Sequence, residues 1–282
     1  MAAIIIDGDT IAAGILEETK KMVDGLKDKS VFPKLSVILV GENPASEIYI
    51  ERKKLACETL GIEFELLRLR ETITEKELAH TINELNFHFD THGILVQLPL
   101  PRHIDRAKII GGISPLKDVD GFTAFNLGLL CHGKEEIVSC TALAIVKLIE
   151  STGQEIAGKN ACIVNHSIVV GRPLSQLLLN RNATVTICHA GTEGIDFFTR
   201  QADILVTAVG KPGLIKSDMV KAGAIVIDAG IARENGKTKG DVDFDAVKEI
   251  ASYITPVPGG VGPMTVACLM QNLAKLAALQ RK

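Results

Sequence analysis

The chain has 282 residues with 31 basic and 34 acidic side chains, a formal net charge of −3, and is 46 % hydrophobic and 23 % charged. That balance excludes a surface built to grip nucleic acid and suits a well-cored globular protein of one large domain or two ordinary ones. Its six cysteines are scattered with no pair at metal-ligand spacing, which predicts single buried thiols in a reducing cytoplasm and no metal centre.

The apolar opening Ala2–Ile6 ends at Asp7-Gly8-Asp9, too short for a signal or a membrane span. Ile4–Ile6 reads as a short strand, after which Asp9 or Thr10 caps a helix with Ile11, Ile15, Leu16 and Val23 on its apolar side. Leu35–Val40 is a continuous apolar run of strand length. In the stretch that follows, Asn43 can cap a helix, Pro44 suits its first turn, and Gly61 falls where a left-handed C-terminal cap belongs. Tyr49 and Lys53 lie four apart on one face of that helix with Ser46 one turn earlier, while Glu47, Glu51, Arg52 and Lys54 fall mostly elsewhere. By itself, an aromatic beside an amine reads as either a catalytic pair or an ordinary surface pair.

Glu63–Arg68 alternates like a strand, Thr74 opens a helix running to about Leu85, and His92–Gln97 is another buried strand. This alternation predicts a mostly parallel sheet with helices on both faces. Pro99 and Pro101 stop the last strand and leave Gln97 at its carboxyl end, the edge where open α/β sheets bind ligands. The segment Lys117-Asp118-Val119-Asp120-Gly121 is too short for a calcium loop and reads locally as a turn.

The character changes near Ser139-Cys140-Thr141, the expected hinge, where Thr141 can cap a helix to about Ser151. A second alternating set follows, with strands at Asn160–Val164, Ala183–His189, Ala202–Gly210, Ala224–Gly230 and Tyr253–Pro256. Its order of elements is that of a dinucleotide-binding domain, although the glycine-rich fingerprint G-x-G-x-x-G is absent. Thr255–Thr265 carries three glycines between prolines, a backbone suited to close approach, and a last helix runs from about Thr265 to Leu279.

Several of these pieces match one family. Val40-Gly41 followed by Ser46-x-x-Tyr49-x-x-x-Lys53, then Gly93-Ile94-x-Val96-Gln97-Leu98-Pro99-Leu100-Pro101, Lys117-Asp118-Val119-Asp120-Gly121 and Thr255–Thr265 resemble the methylenetetrahydrofolate dehydrogenase/cyclohydrolase family along nearly the whole chain. The resemblance implies two α/β domains. Residues 1–138, joined by the C-terminal helix 266–282, would form a catalytic folate-binding domain, and residues 139–265 a Rossmann-type domain. It implies Lys53 as general acid/base, Gln97 as its orienting partner, Tyr49 packed over the folate and Asp120 anchoring the pterin, with Pro258, Gly259 and Gly260 bordering the substrate.

For the cofactor the resemblance implies NADP, with NAD possible, held by Asn165, His166, Ser167, Ala190 and Ile231. Here the chain departs from its family, which has G-R-S where this sequence has Asn165-His166-Ser167 and a serine where it has Ala190. Losing the guanidinium predicts weaker discrimination between the two cofactors. Pro-to-Ser139 and Pro-to-Ala142 differences also remove rigidity at the connection. Relatives imply a homodimer. Two other readings share the architecture or the binding surface: a dehydrogenase of the amino-acid or shikimate type, and a non-catalytic folate- or nucleotide-binding protein. The combination of Tyr49, Lys53, Gln97 and Asp120 weighs against both.

Overall fold

A strand that is apolar on both faces is stable only where helices cover a sheet from both sides, and the chain builds that environment twice. A computed structural model describes residues 2–234 and 236–280, with Ala45 described by its backbone alone. In chain order the strands are β1 (Ile4–Ile5), β2 (Lys34–Val40), β3 (Glu63–Leu69), β4 (Gly93–Val96), β5 (Asn160–Val164) and β6 (Thr184–Cys188). There follow β7 (Ile204–Thr207), β8 (Ile225–Asp228), β9 (Ala232–Glu234), β10 (Lys237–Lys239) and β11 (Tyr253–Ile254). They form a three-stranded sheet in the order β3-β2-β4, a six-stranded sheet in the order β1-β11-β8-β7-β5-β6, and a separate β9-β10 pair. Both larger sheets are parallel throughout, and the pair is antiparallel.

The chain divides into two compact units, Met1–Ala13 with Leu130–Glu135 and Ser139–Thr265, and Gly14–Leu129 with Glu136–Val138 and Val266–Lys282. The second holds the three-stranded sheet. There Ile38, Val40, Ile94 and Val96 pack with Leu78, Ile82 and Leu85 of the helix Glu75–Phe87. Burying each of these side chains contributes roughly 1.5–3 kcal/mol. Thr74 and Glu77 close a reciprocal capping box at the start of that helix. The last helix, Val261–Leu279, returns to the same unit: Asn272 Nδ2 donates to Val119 O (3.0 Å) and Val138 O (2.8 Å), and Gln280 Nε2 to His92 O (2.8 Å).

The first unit holds the six-stranded sheet, where strand order reverses between β5 and β7, the switch point of a doubly wound fold. Three local expectations are corrected. Asp7, rather than Asp9 or Thr10, caps the first helix, its carboxylate accepting from Asp9 N (3.1 Å), Thr10 N (3.2 Å) and Thr10 Oγ1 (2.5 Å). Ser139, rather than Thr141, caps the helix Cys140–Glu150, with its Oγ accepting from Ala142 N at 3.4 Å. The final helix starts at Val261, four residues before Thr265. Of the cysteines, Cys131 is exposed and the rest are buried, so the reading of every thiol as buried fails at that one position.

Candidate active site

Lys53 stands on the helix Pro44–Leu60, which the local sequence starts and stops. Asn43 Oδ1 accepts from Ser46 N (3.3 Å), and Gly61, at φ +69°, ends the helix with its N–H on Glu58 O (3.1 Å). Tyr49 and Lys53 are both half-buried on this helix, whereas Glu51, Arg52 and Lys54 are exposed. Glu47 pairs with Arg68 of β3 through two hydrogen bonds, and this partner holds its carboxyl below the ordinary range. Of the charged residues of the helix, Glu51, Arg52 and Lys54 thus face solvent and Glu47 is held by β3.

Gln97 meets Lys53 from the end of β4. Its backbone N–H continues the sheet onto Ile38 O (2.9 Å), its Nε2 donates to Leu98 O (2.8 Å), and its Oε1 accepts from Lys53 Nζ at 2.9 Å. Because the amide nitrogen is anchored, the amide oxygen faces the lysine in one orientation. Ser46, buried, adds its Oγ to the same Leu98 carbonyl (3.4 Å). Sequence and structure bring Lys53 and Gln97 together, 44 residues apart in the chain.

The turn 117–121 is buried except at half-buried Asp120. Lys117 is buried and donates to Leu85 O (2.9 Å) and His88 O (2.6 Å), and burial lowers its pKa. Asp118, also buried, accepts from Phe122 N (3.1 Å), Thr123 N (2.8 Å) and Asn126 Nδ2 (2.9 Å). These bonds fix the turn that carries half-buried Asp120. The structural load on Asp118 and Asn126 was not readable from the motif alone.

In the other unit, Pro258, Gly259 and Gly260 occupy the turn after β11, with Pro258 exposed and Gly260 buried. Gly259 O accepts from Gly8 N at 2.9 Å, and the Val257–Pro258 peptide is cis.

At the carboxyl edge of the six-stranded sheet, Asn165 ends up inside its own loop. Its Oδ1 accepts from Ser167 N (2.8 Å), Ser167 Oγ (2.8 Å) and Gly171 N (3.1 Å), and its Nδ2 donates to Ala208 O (2.6 Å) at the end of β7. Ser167 also accepts from Val170 N (3.1 Å) and, through its carbonyl, from Arg172 N (3.0 Å). The first N–H groups of the helix Gly171–Asn180 are therefore spent within the loop. The exposed polar groups here are the side chains of His166, Arg172 and His189. The two imidazoles lie 4.9 Å apart by ring centroid, and Arg172 Nε donates to His166 O at 3.1 Å. Gly191 N donates to His189 Nδ1 (3.1 Å), which leaves Nε2 as the proton-bearing nitrogen of the neutral ring. Donors of this type suit a phosphate-bearing cofactor. Ala190 is exposed and brings no donor. Among the described residues no group of three or more His, Cys, Asp or Glu side chains is placed to hold a metal ion.

The family model for the tetrahydrofolate dehydrogenase/cyclohydrolase catalytic domain matches residues 6–120, and that for the NAD(P)-binding domain matches residues 139–281. The chain belongs to the tetrahydrofolate dehydrogenase/cyclohydrolase family. A bifunctional protein FolD from Exiguobacterium sp. is 50 % identical, covering 98 % of this chain and 99 % of that one. The crystal structure of the bifunctional FolD enzyme from Campylobacter jejuni has a TM-score of 0.97 at 47 % identity, over 99 % of this chain and all of that one (100 %). The FolD structure from Trypanosoma brucei, complexed with NADP cofactor and inhibitor, has a TM-score of 0.95 at 36 % identity, over 99 % and 98 % of the two chains. Membership displaces the shikimate-type reading, since both halves match the folate family.

Proposed function

We propose that the enzyme oxidises 5,10-methylenetetrahydrofolate to the 5,10-methenyl compound with NADP and hydrolyses that product to 10-formyltetrahydrofolate, with Lys53 as general acid/base. The observation that carries the role of Lys53 is its 2.9 Å hydrogen bond to an amide that is itself anchored. The bound nicotinamide supplies the hydride acceptor for the first step. The methylene carbon loses hydride, and the lone pairs of the two flanking nitrogens stabilise the resulting cation, so the protein's task is to orient the reacting carbon.

In the second step water adds to the methenyl carbon. Lys53, as a neutral amine, takes a proton from that water, and as an ammonium it returns it to the nitrogen that leaves when the ring carbon–nitrogen bond breaks, while the remaining hydroxyl proton passes to solvent as the formyl C=O forms. Gln97 holds Nζ in place between the two transfers. Tyr49, one turn before Lys53, packs over the folate, and Asp120 receives the pterin on the turn fixed by Asp118. Pro258, Gly259 and Gly260 border the substrate as a side-chain-poor backbone. On this reading residues 1–138 and 266–282 carry the folate site and residues 139–265 the cofactor site, with β1 contributed by the first segment to the edge of the six-stranded sheet.

Asn165 and Ser167 serve the cofactor by shaping the loop, and His166, with Arg172 and His189 nearby, takes over from the absent family arginine, while Ile231 lies at the end of β8. Ala190 removes one phosphate donor. NADP is the preferred cofactor, with NAD discriminated against less than in relatives that keep the arginine. A spectrophotometric assay with methylenetetrahydrofolate and each cofactor tests this. A strong NADP preference would place the phosphate on another residue, and failure to reduce either cofactor would overturn the activity.

A homodimer through the cofactor domain fits the edge strand β6, which leaves Ile187 36 % exposed. Light scattering at micromolar concentration that gave a single-chain mass would end that proposal. Cytoplasmic residence fits the scattered, mostly buried cysteines, and no described helix is long and apolar enough to cross a membrane.

A further inference from the structure

Two buried carboxylates at the carboxyl edge of the six-stranded sheet take no part in the chemistry above. Asp241 is 0 % and Asp228 3 % exposed. Asp241 lies just beyond β10, where the chain returns from the β9-β10 excursion. Its Oδ2 accepts from Thr207 Oγ1 (2.7 Å) and Val209 N (2.6 Å), and its Oδ1 from Lys211 N (2.7 Å). One carboxylate therefore fixes the last residue of β7 and the turn that follows it. Asp228, the last residue of β8, answers with its own Oδ1 on Gly230 N (2.9 Å) and Asp241 N (3.1 Å), and its Oδ2 on Val242 N (2.8 Å).

The fit around the pair admits no side chain. A Cβ on Gly230 would stand 2.2 Å from the Asp241 carboxyl group, and one on Gly240 would stand 2.0 Å from Asp228 Oδ2. Each aspartate thus presses against the glycine next to the other's loop, which sets the path of both strand ends. On those two ends sit large aliphatic side chains that the fold leaves in solvent, Val209 at 50 % and Ile231 at 48 % exposed. Adjacent parallel strands ending beside a switch point form the ligand-binding edge of such a sheet. Exposed aliphatic groups on a tightly held backbone at that edge suit one face of a flat ring.

We propose that Asp241 is a positioning residue for hydride transfer: by locking the turn after β7 and the path of Gly230 it sets Val209 and Ile231 as the apolar seat of the nicotinamide ring. This rests on the dehydrogenase reading and gives it a determinant outside the residues that meet the cofactor.

The test compares the two reactions of one protein. Asp241→Asn keeps the volume but turns one acceptor oxygen into a donor, leaving Lys211 N–H or the Thr207 and Val209 pair unpaired. A buried donor left unpaired draws the turn out of its binding geometry, and restoring that geometry on binding costs up to the penalty of the lost bond, so the NADP dissociation constant by calorimetry and the dehydrogenase KM for NADP should both rise by about tenfold. The hydrolysis of supplied methenyltetrahydrofolate should stay within about twofold of wild type, since the proton transfers there belong to Lys53. NADP affinity unchanged, or the two activities falling in parallel, overturns the proposal. If Asp241→Asn does not fold, Thr207→Val decides, because it removes a single donor from Asp241 at constant shape. A rise in the NADP dissociation constant of about threefold with hydrolysis intact supports the role, and no rise overturns it.

Discussion

In the unit built on β2, β3 and β4, the proposed site offers a substrate the ends of side chains: the Lys53 amine bonded to Gln97, with Tyr49 on the same helix and Asp120 on a turn. In the unit built on the six-stranded sheet, most polar side chains at the ligand edge are spent on the protein itself. Asn165 satisfies backbone N–H groups of its own loop, Asp241 those of the turn after β7 and Asp228 those around Asp241, and what remains is backbone, two exposed aliphatic groups and a few imidazole and guanidinium donors. One site is made of reacting groups and the other of a held surface. A reacting group is lost by changing that residue. A held surface is damaged most by changing residues that never touch the ligand.

The largest expected effect falls on the side-chain site. Lys53→Met should fold normally and lose cyclohydrolase activity by at least about 100-fold, the range of a general acid/base; hydrolysis within about twofold of wild type would break the comparison at its strongest point. Gln97→Leu should follow with a loss on the order of tenfold, because the lysine remains but its 2.9 Å partner is gone. Rates of methenyl hydrolysis on the purified variant check this, and a loss as large as that of Lys53→Met would make Gln97 a participant rather than a support.

On the held surface, pH separates the buried pair from ordinary carboxylates. Burial lifts Asp228 from 3.8 to about 6, against the pull of its three backbone N–H bonds. The folded chain therefore binds this proton more tightly than the unfolded chain. The group adds stability as pH falls from about 6 toward 3.8, and that gain is lost as pH rises through about 6. Relative to Asp228→Asn, whose carboxamide does not titrate, wild type should gain about 1 kcal/mol between pH 7 and pH 5. Chemical denaturation at the two values measures it, and a gap that does not move would show Asp228 titrating in its ordinary range. The smallest effect is Ser139→Ala. It removes the Ala142 cap and the 2.5 Å bond to Val169 O, and should cost about 1 kcal/mol without changing either activity.

The same contrast decides what the sequence made legible. The helix Pro44–Leu60 could be bounded to the residue because Asn43, Pro44 and Gly61 act locally, and the four-residue spacing of Tyr49 and Lys53 follows from helix geometry. Most strands are legible to within two residues because apolar runs mark them, but the run Ala202–Gly210 extends three residues past Thr207, and the polar strands β9 and β10 carry no such signal. The pairing of β1 with β11, some 250 positions apart, has no local signal, and neither has the choice between Ser139 and Thr141 as cap, since both are good capping types. Ser139 wins because its hydroxyl also satisfies Val169 O. The Asp228–Asp241 pair was missed for a related reason. Asp228-Ala229-Gly230 reads as a strand end and Gly240-Asp241 carries no signal of its own, and only the β9-β10 excursion folding back joins them. An acidic residue one or two positions from a glycine at the end of a buried parallel strand was the available sign.

The proposed division places reaction chemistry and cofactor seating in different units of one chain. It is tested most directly by the NADP dissociation constant of Lys53→Met, measured by calorimetry beside wild type. The expected result is an affinity within about twofold of wild type in a protein that no longer hydrolyses methenyltetrahydrofolate. A tenfold or greater loss of NADP affinity in that variant would contradict the division.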